Sequence, residues 1–145
     1  MKASRIFLPM IMAASLLLSA CGTMQPKEKS LYERLGGKEA IVAVIDDFVG
    51  NVAADDRINK RFANSNPVRL KSQMVDFVCQ GTGGPCKYTG RDMKSGHTGM
   101  NITEAEFNAL VDDLVKTLDK FKVPAKEKND LLSLLGSMKG DIINR

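Results

Sequence analysis

The residues best suited to chemistry lie between Gly83 and Met100, in the run G-G-P-C-K-Y-T-G-R-D-M-K-S-G-H-T-G-M, which carries the single histidine of the chain, His97. Pro85 and the glycines at 83, 84 and 90 break any helix ahead of it, so the backbone turns there and the spacing predicts a short helix from about Arg91 onward. On that helix Met93, His97 and Met100 stand at i, i+4 and i+7 and share one face. Two readings follow. A soft, apolar face centred on a neutral imidazole suits a flat apolar cofactor whose metal takes a nitrogen ligand. The same pattern also describes an ordinary core histidine packed between two methionines.

Sulfur is the second reactive group. Cys79 and Cys86 stand seven positions apart with Gly81, Gly83 and Gly84 between them. In an oxidising compartment such a pair can close a disulfide at a helix end and stiffen the loop that aims His97; the alternative is two buried free thiols. A zinc centre is disfavoured, because the chain offers only one histidine.

The third cysteine belongs to a different pattern. Lys2 and Arg5 precede an apolar run from Ile6 to Leu18, and Leu18-Ser19-Ala20-Cys21 closes it with small residues. This is a targeting segment, and the run is short for a mature membrane-spanning helix. The L-S-A-C ending resembles a bacterial lipobox, which implies a lipoprotein signal peptide over residues 1–20, cleavage before Cys21 and lipid on that cysteine. An ordinary signal peptide with a chance cysteine is the other reading. Residues 21–30, polar from Gly22 onward, read as a tether, leaving 31–145 as the folded domain of a lipid-anchored protein in the bacterial cell envelope, facing the periplasm or exterior.

Helices must position these groups. With 43% hydrophobic and 26% charged residues the chain matches an ordinary globular protein, and its 145 residues suffice for one domain. The net charge of +4 falls once Lys2 and Arg5 are removed, so no nucleic-acid partner is expected. Gly36-Gly37 ends a short helix at Leu31–Leu35 and bends the chain into a longer one, along which Ile41, Val44, Ile45, Phe48, Val49 and Val52 keep the helical period. Asp55-Asp56-Arg57-Ile58 breaks that pattern, and a turn carries Phe62. Asn66-Pro67 starts the next helix, with Leu70, Met74, Phe77 and Val78 as its inward stripe. A capping box at Thr103–Glu106 opens another, striped by Phe107, Leu110, Val111, Leu114, Leu118 and Phe121. Val123-Pro124 leads into the last, striped by Leu131, Leu134, Leu135, Met138 and Ile142. No stretch alternates with period two, so the fold class is all-α.

This order of elements resembles a group 1 truncated haemoglobin, a two-over-two helical globin. The likeness rests on L-Y-E-R-L-G-G at 31–37, Phe48, D-D-R-I at 55–58, Phe62, and G-G-x-x-K-Y-x-G-R-x-M-x-x-x-H from Gly83 to His97. It implies haem b as cofactor and His97 as the proximal iron ligand, with its second ring nitrogen held by a backbone carbonyl one turn earlier. It also implies that Phe62 wedges the haem face, that Phe48, Phe77 and Met93 line the pocket, and that Tyr88, Arg91 and Lys87 lie near the haem edge. Arg91, then Lys87, is the expected propionate partner.

The distal side departs from the family pattern. The position after Phe48 is commonly a tyrosine that hydrogen-bonds the gas ligand, and here it is Val49, which cannot donate. Leu70, Gln73 and Met74 are the other expected distal residues, and of these only Gln73 carries a donor N–H. The implied function is reversible binding of oxygen or another diatomic gas, nitric oxide or carbon monoxide, served by a reductase the sequence does not identify. The alternative is a haem enzyme, a nitric oxide dioxygenase or a peroxidase. Peroxide cleavage needs a polar acid–base group over the iron, and no distal histidine or arginine is apparent, which favours binding.

Overall fold

In the computed structural model, residues 28–145 are described. The expected signal peptide, Cys21 and most of the tether lie outside them.

The longest apolar stripe organises the fold. A short helix α1 (Leu31–Arg34), opened by a Ser30–Glu33 capping box, leads to α2 (Gly37–Ala54). The bend between them is possible because Gly36 is left-handed, at φ 96°, where a side chain would strain the backbone. Along α2, Ile41, Ile45, Phe48 and Val52 are buried. This face packs against α3 (Pro67–Gly81) and α5 (Glu104–Lys120). A short 3-10 turn, Asn59–Arg61, carries the chain from α2 toward α3. Asn66 caps α3 by accepting from the Arg69 N–H at 3.0 Å, with Pro67 at its first turn. α5 begins at the Thr103–Glu106 capping box, and α6 (Ala125–Gly136) packs back on it and on α1. Two helix pairs thus enclose the interior, and no strand occurs among the described residues.

Several details differ from the sequence expectation. Phe121 does not join the α5 stripe: it is the residue that ends the helix and is 42% exposed. The last stripe is not one helix, since α6 stops at Gly136 and a separate 3-10 turn spans Lys139–Asp141. α3 carries two apolar faces where one was expected. Val75 and Cys79 are buried in the core, whereas Leu70, Met74, Phe77 and Val78 line a cavity.

Polar ties fix the helices relative to one another. Arg34 forks to Glu127 at 2.7 Å and Asp130 at 2.6 Å, joining α1 to α6. Asn51 on α2 donates to the fully buried Thr117 hydroxyl of α5 at 2.9 Å, satisfying a group whose burial would otherwise be costly.

Candidate haem pocket

The histidine sits on α4 (Met93–His97), a five-residue helix too short to be stable alone. Its surroundings supply the order. Asp92 caps it, accepting from the Ser95 N–H at 2.9 Å and the Ser95 hydroxyl at 2.5 Å. These bonds hold the Asp92 carboxyl below the usual carboxylate range. At the other end Arg61 grips two groups at once: it donates to the Met100 carbonyl at 2.8 Å and bridges Glu106 at 2.7 and 3.0 Å. Hydrogen bonding to Arg61 and to Thr103 lowers the Glu106 pKa to about 2. The segment after His97 is also tied to the C-terminus, with the Asn101 N–H donating to the Arg145 carbonyl at 2.7 Å and the Asn144 N–H to the Ile102 carbonyl at 2.9 Å.

Upstream, Cys79 and Cys86 form a disulfide that ties the end of α3 to the approach loop. Within that loop Gln80 accepts from the Tyr88 N–H at 2.8 Å. The Tyr88 hydroxyl donates to the Arg91 carbonyl at 2.9 Å, and its ring meets Phe77 edge-on with centroids 5.1 Å apart. Position 90 must be glycine for this arrangement, because a Cβ there would lie 2.2 Å from the Tyr88 oxygen. The helix bearing His97 is therefore clamped from both sides.

His97 opens onto a cavity of about 520 Å³, within the range of roughly 300–1,000 Å³ typical of ligand and cofactor sites. Its Nδ1 lies 2.6 Å from the Met93 carbonyl one turn earlier. A proton on Nδ1 makes that contact a hydrogen bond and leaves the Nε2 lone pair free to ligate a metal. The lining is apolar apart from His97, Gln73, Tyr88 and Asn108. Phe48, Phe62, Phe77, Met93, Leu70 and Met74 all contribute to it. Gln73 is anomalous: its Oε1 is buried with no hydrogen-bond partner among the described residues, a cost a protein rarely leaves uncompensated. An apolar slot with one nitrogen ligand on the α4 wall and a carboxamide whose Oε1 is unpaired on the α3 wall fits a flat apolar macrocycle carrying a metal and a small polar ligand.

Two sequence expectations, Val49 and Met100, fall elsewhere. Val49 does not line this cavity; it lines a smaller one beside it. Lys87 and Arg91, expected near a solvent-facing edge, are exposed, and neither forms an ion pair among the described residues. Met100 lies beyond the end of α4, because the chain leaves helical geometry at Thr98, with ψ 129°. Conversely Asn108, Met138 and Ile142 line the cavity. Met138 and Ile142 were legible only as core, and a polar residue such as Asn108 on an amphipathic helix gives no periodic signal.

Helices closed round an apolar cavity, with a single imidazole presented by a short clamped helix, are the arrangement of a globin. Residues 30–144 match the model of the Bacterial-like globin family. The chain belongs to that family. It is 34% identical to the group 1 truncated haemoglobin GlbN of Mycolicibacterium paratuberculosis over 113 residues, covering 78% of this chain and 83% of that protein. It is 36% identical to the group 1 truncated haemoglobin of Tetrahymena thermophila, covering 67% of this chain and 80% of that protein. Among solved structures it is similar to the Fe(III) form of the truncated haemoglobin of Tetrahymena pyriformis, at a TM-score of 0.78 and 30% identity over 81% of this chain and all of the other. It also resembles a two-over-two haemoglobin of a Synechococcus species, at a TM-score of 0.76 and 31% identity. The fold is that of a two-over-two truncated globin.

Proposed function

We propose that this globin holds haem b through His97 Nε2 and reversibly binds a small diatomic gas, oxygen or nitric oxide or carbon monoxide. When bound, haem supplies an iron with one open coordination position. The observation that carries the reading is the pairing of His97, with its Nδ1 against the Met93 carbonyl, and a cavity of about 520 Å³ that is otherwise almost wholly apolar. Phe62, Phe48, Phe77 and Met93 provide the apolar walls. The α3 wall, with Leu70, Met74 and Gln73, is the distal side, and the Gln73 carboxamide is its one hydrogen-bonding group. Cys79 and Cys86 are bonded to each other, so neither offers a thiol for attaching haem covalently. Lys87 and Arg91, both exposed and without ion pairs among the described residues, are placed to reach toward propionates at the mouth.

A binding role is favoured over peroxide chemistry because the lining holds no histidine beyond His97 and no arginine. We further infer that residues 1–20 are a lipoprotein signal peptide, that Cys21 carries lipid, and that residues 21–30 tether the domain in the cell envelope. A disulfide suits that oxidising location. A separate reductase keeps the iron ferrous. Titrating haem into the purified domain tests the central part: a Soret band saturating at one haem per chain, shifted by carbon monoxide after reduction, is expected. No Soret band would overturn it. Cys21→Ser tests the anchor, and unchanged detergent partitioning of that variant would remove the lipoprotein claim.

A further inference from the structure

The junction between the tether and α1 decides which side of the domain can face the bilayer that lipid on Cys21 would enter. Residues 21–30 reach at most about 35 Å, at roughly 3.3–3.6 Å per residue. The way round the outside of a domain this size, whose radius of gyration is about 13 Å, is on the order of 50 Å. An anchored domain therefore keeps the side bearing α1 toward the membrane. On that side α1 is pinned at both flanks: the Tyr32 N–H donates to the Thr82 carbonyl at 2.8 Å, just past α3, and Arg34 forks to Glu127 and Asp130 in α6.

The turn leading into α6 exposes an aromatic ring there. Among the described residues the exposed large apolar side chains are Val42, Val68 and Phe121, and only Phe121 is aromatic. The backbone explains its exposure. Past the end of α5 the Lys122 N–H donates to the Asp119 carbonyl and the Val123 N–H to the Leu118 carbonyl, both at 3.0 Å, with Lys122 left-handed at φ 54°. This pattern folds the second residue past the cap back onto the last helical turn, and Val123 and Leu118 accordingly both line the large cavity. Val123 takes the inward place, and Phe121 is left outside. Its setting is basic: Lys120, Lys122, Lys126 and Lys128 stand nearby, while Asp119 is paired with Lys128 and Glu127 with Arg34. Lys122 is exposed and forms no ion pair among the described residues.

We propose that Phe121 inserts into the surface of the bilayer that carries the anchor, with Lys122 beside it over anionic lipid phosphates, so that the tethered globin rests in one orientation. The inference rests on the Cys21 lipid reading above. A ring between lysines matches the chemistry of that boundary, the ring entering below the headgroups and the lysine stems reaching back to the phosphates. One ring is too small a contact to hold a free protein on a membrane. A short tether raises the effective concentration into the millimolar range, where so weak a contact is populated.

The test is photo-crosslinking of the mature lipidated protein in vesicles of phosphatidylcholine, with and without phosphatidylglycerol. The photoreactive residue benzoylphenylalanine replaces either Phe121 or Val68, and adducts are weighed by mass spectrometry. Val68 is the control because it stands at the start of α3, about 20 Å along that helix from the end that adjoins α1. Flotation of the same samples reports the anchor. Phospholipid adducts are expected at position 121 in several-fold excess over position 68. On phosphatidylglycerol vesicles Lys122→Gln should lower the yield at 121 about five-fold, the worth of one lysine at an anionic surface, and on pure phosphatidylcholine it should change nothing. Floating protein with no lipid adduct at 121, with equal adducts at both positions, or with 121 joined to a second copy of the chain overturns the inference and leaves the anchor standing. An unchanged yield in Lys122→Gln overturns the phosphate contact. Protein that fails to float removes the anchor and this inference together.

Discussion

Breaking the Cys79–Cys86 bond should cost the domain a defined amount of stability and loosen the histidine with it. The bond closes a ring of eight residues, the sequence separation being 7. Chain entropy for a ring of that size gives about 2.5 kcal/mol at 25 °C. In a domain near this length such a loss lowers Tm by on the order of 10 °C. Cys79 is fully buried at the end of α3, and the ring it closes leads directly into the loop carrying Tyr88 and Asp92, which orient α4. Reduction should therefore also quicken haem loss. The assay is thermal unfolding of the haem-free and haem-loaded domain with and without reductant, together with haem transfer to an excess of apomyoglobin. Cys79→Ala/Cys86→Ala serves as the control that must ignore reductant. A Tm change of less than roughly 2 °C on reduction would refute the ring-entropy argument. An unchanged haem-transfer rate would show that the loop does not hold His97 in place.

Acid stability should depend on Glu106, whose pKa falls from 4.5 to about 2 chiefly through its hydrogen bonds to Arg61. A depressed carboxyl pKa contributes stability present above 4.5 and lost as pH falls toward 2, so Glu106→Gln should flatten the unfolding curve in that window, measured by circular dichroism. Asp113 works in the opposite sense: burial raises its pKa, and its Oδ2 has no hydrogen-bond partner. Its penalty grows as pH rises above 3.8, so Asp113→Asn should raise Tm at neutral pH and leave it unchanged near pH 3, by calorimetry. Gln73→Leu should speed oxygen release about ten-fold or more in stopped-flow measurements, since a hydrogen bond to a partly charged ligand is worth roughly 1.5–3 kcal/mol.

Much of this architecture is legible in the chain itself. The Asn66-Pro67 start, the Thr103–Glu106 capping box and the α2 stripe are local signals, and local signals survive folding unchanged. What the sequence hides is set by tertiary contact. Val49 keeps the helical period, yet which of two adjacent cavities it lines depends on where α3 crosses α2. Phe121 fits the α5 stripe, but the helix ends one residue earlier and turns it outward. Met100 extends the His97 spacing on paper, and the break at Thr98 removes it from that face. The Arg61 grip on Glu106 and the Met100 carbonyl joins residues 39 and 45 positions apart, which no periodicity reports.

The most direct test of the central claim is chemical rescue at His97. His97→Gly removes the imidazole and leaves the cavity, so haem added to this variant should show a perturbed, weakly held Soret band. Free imidazole at millimolar concentration should restore the wild-type spectrum of the reduced, carbon monoxide-treated protein. A His97→Gly variant whose spectrum and haem affinity already equal those of wild type, with no response to imidazole, would contradict the assignment of His97 as the iron ligand.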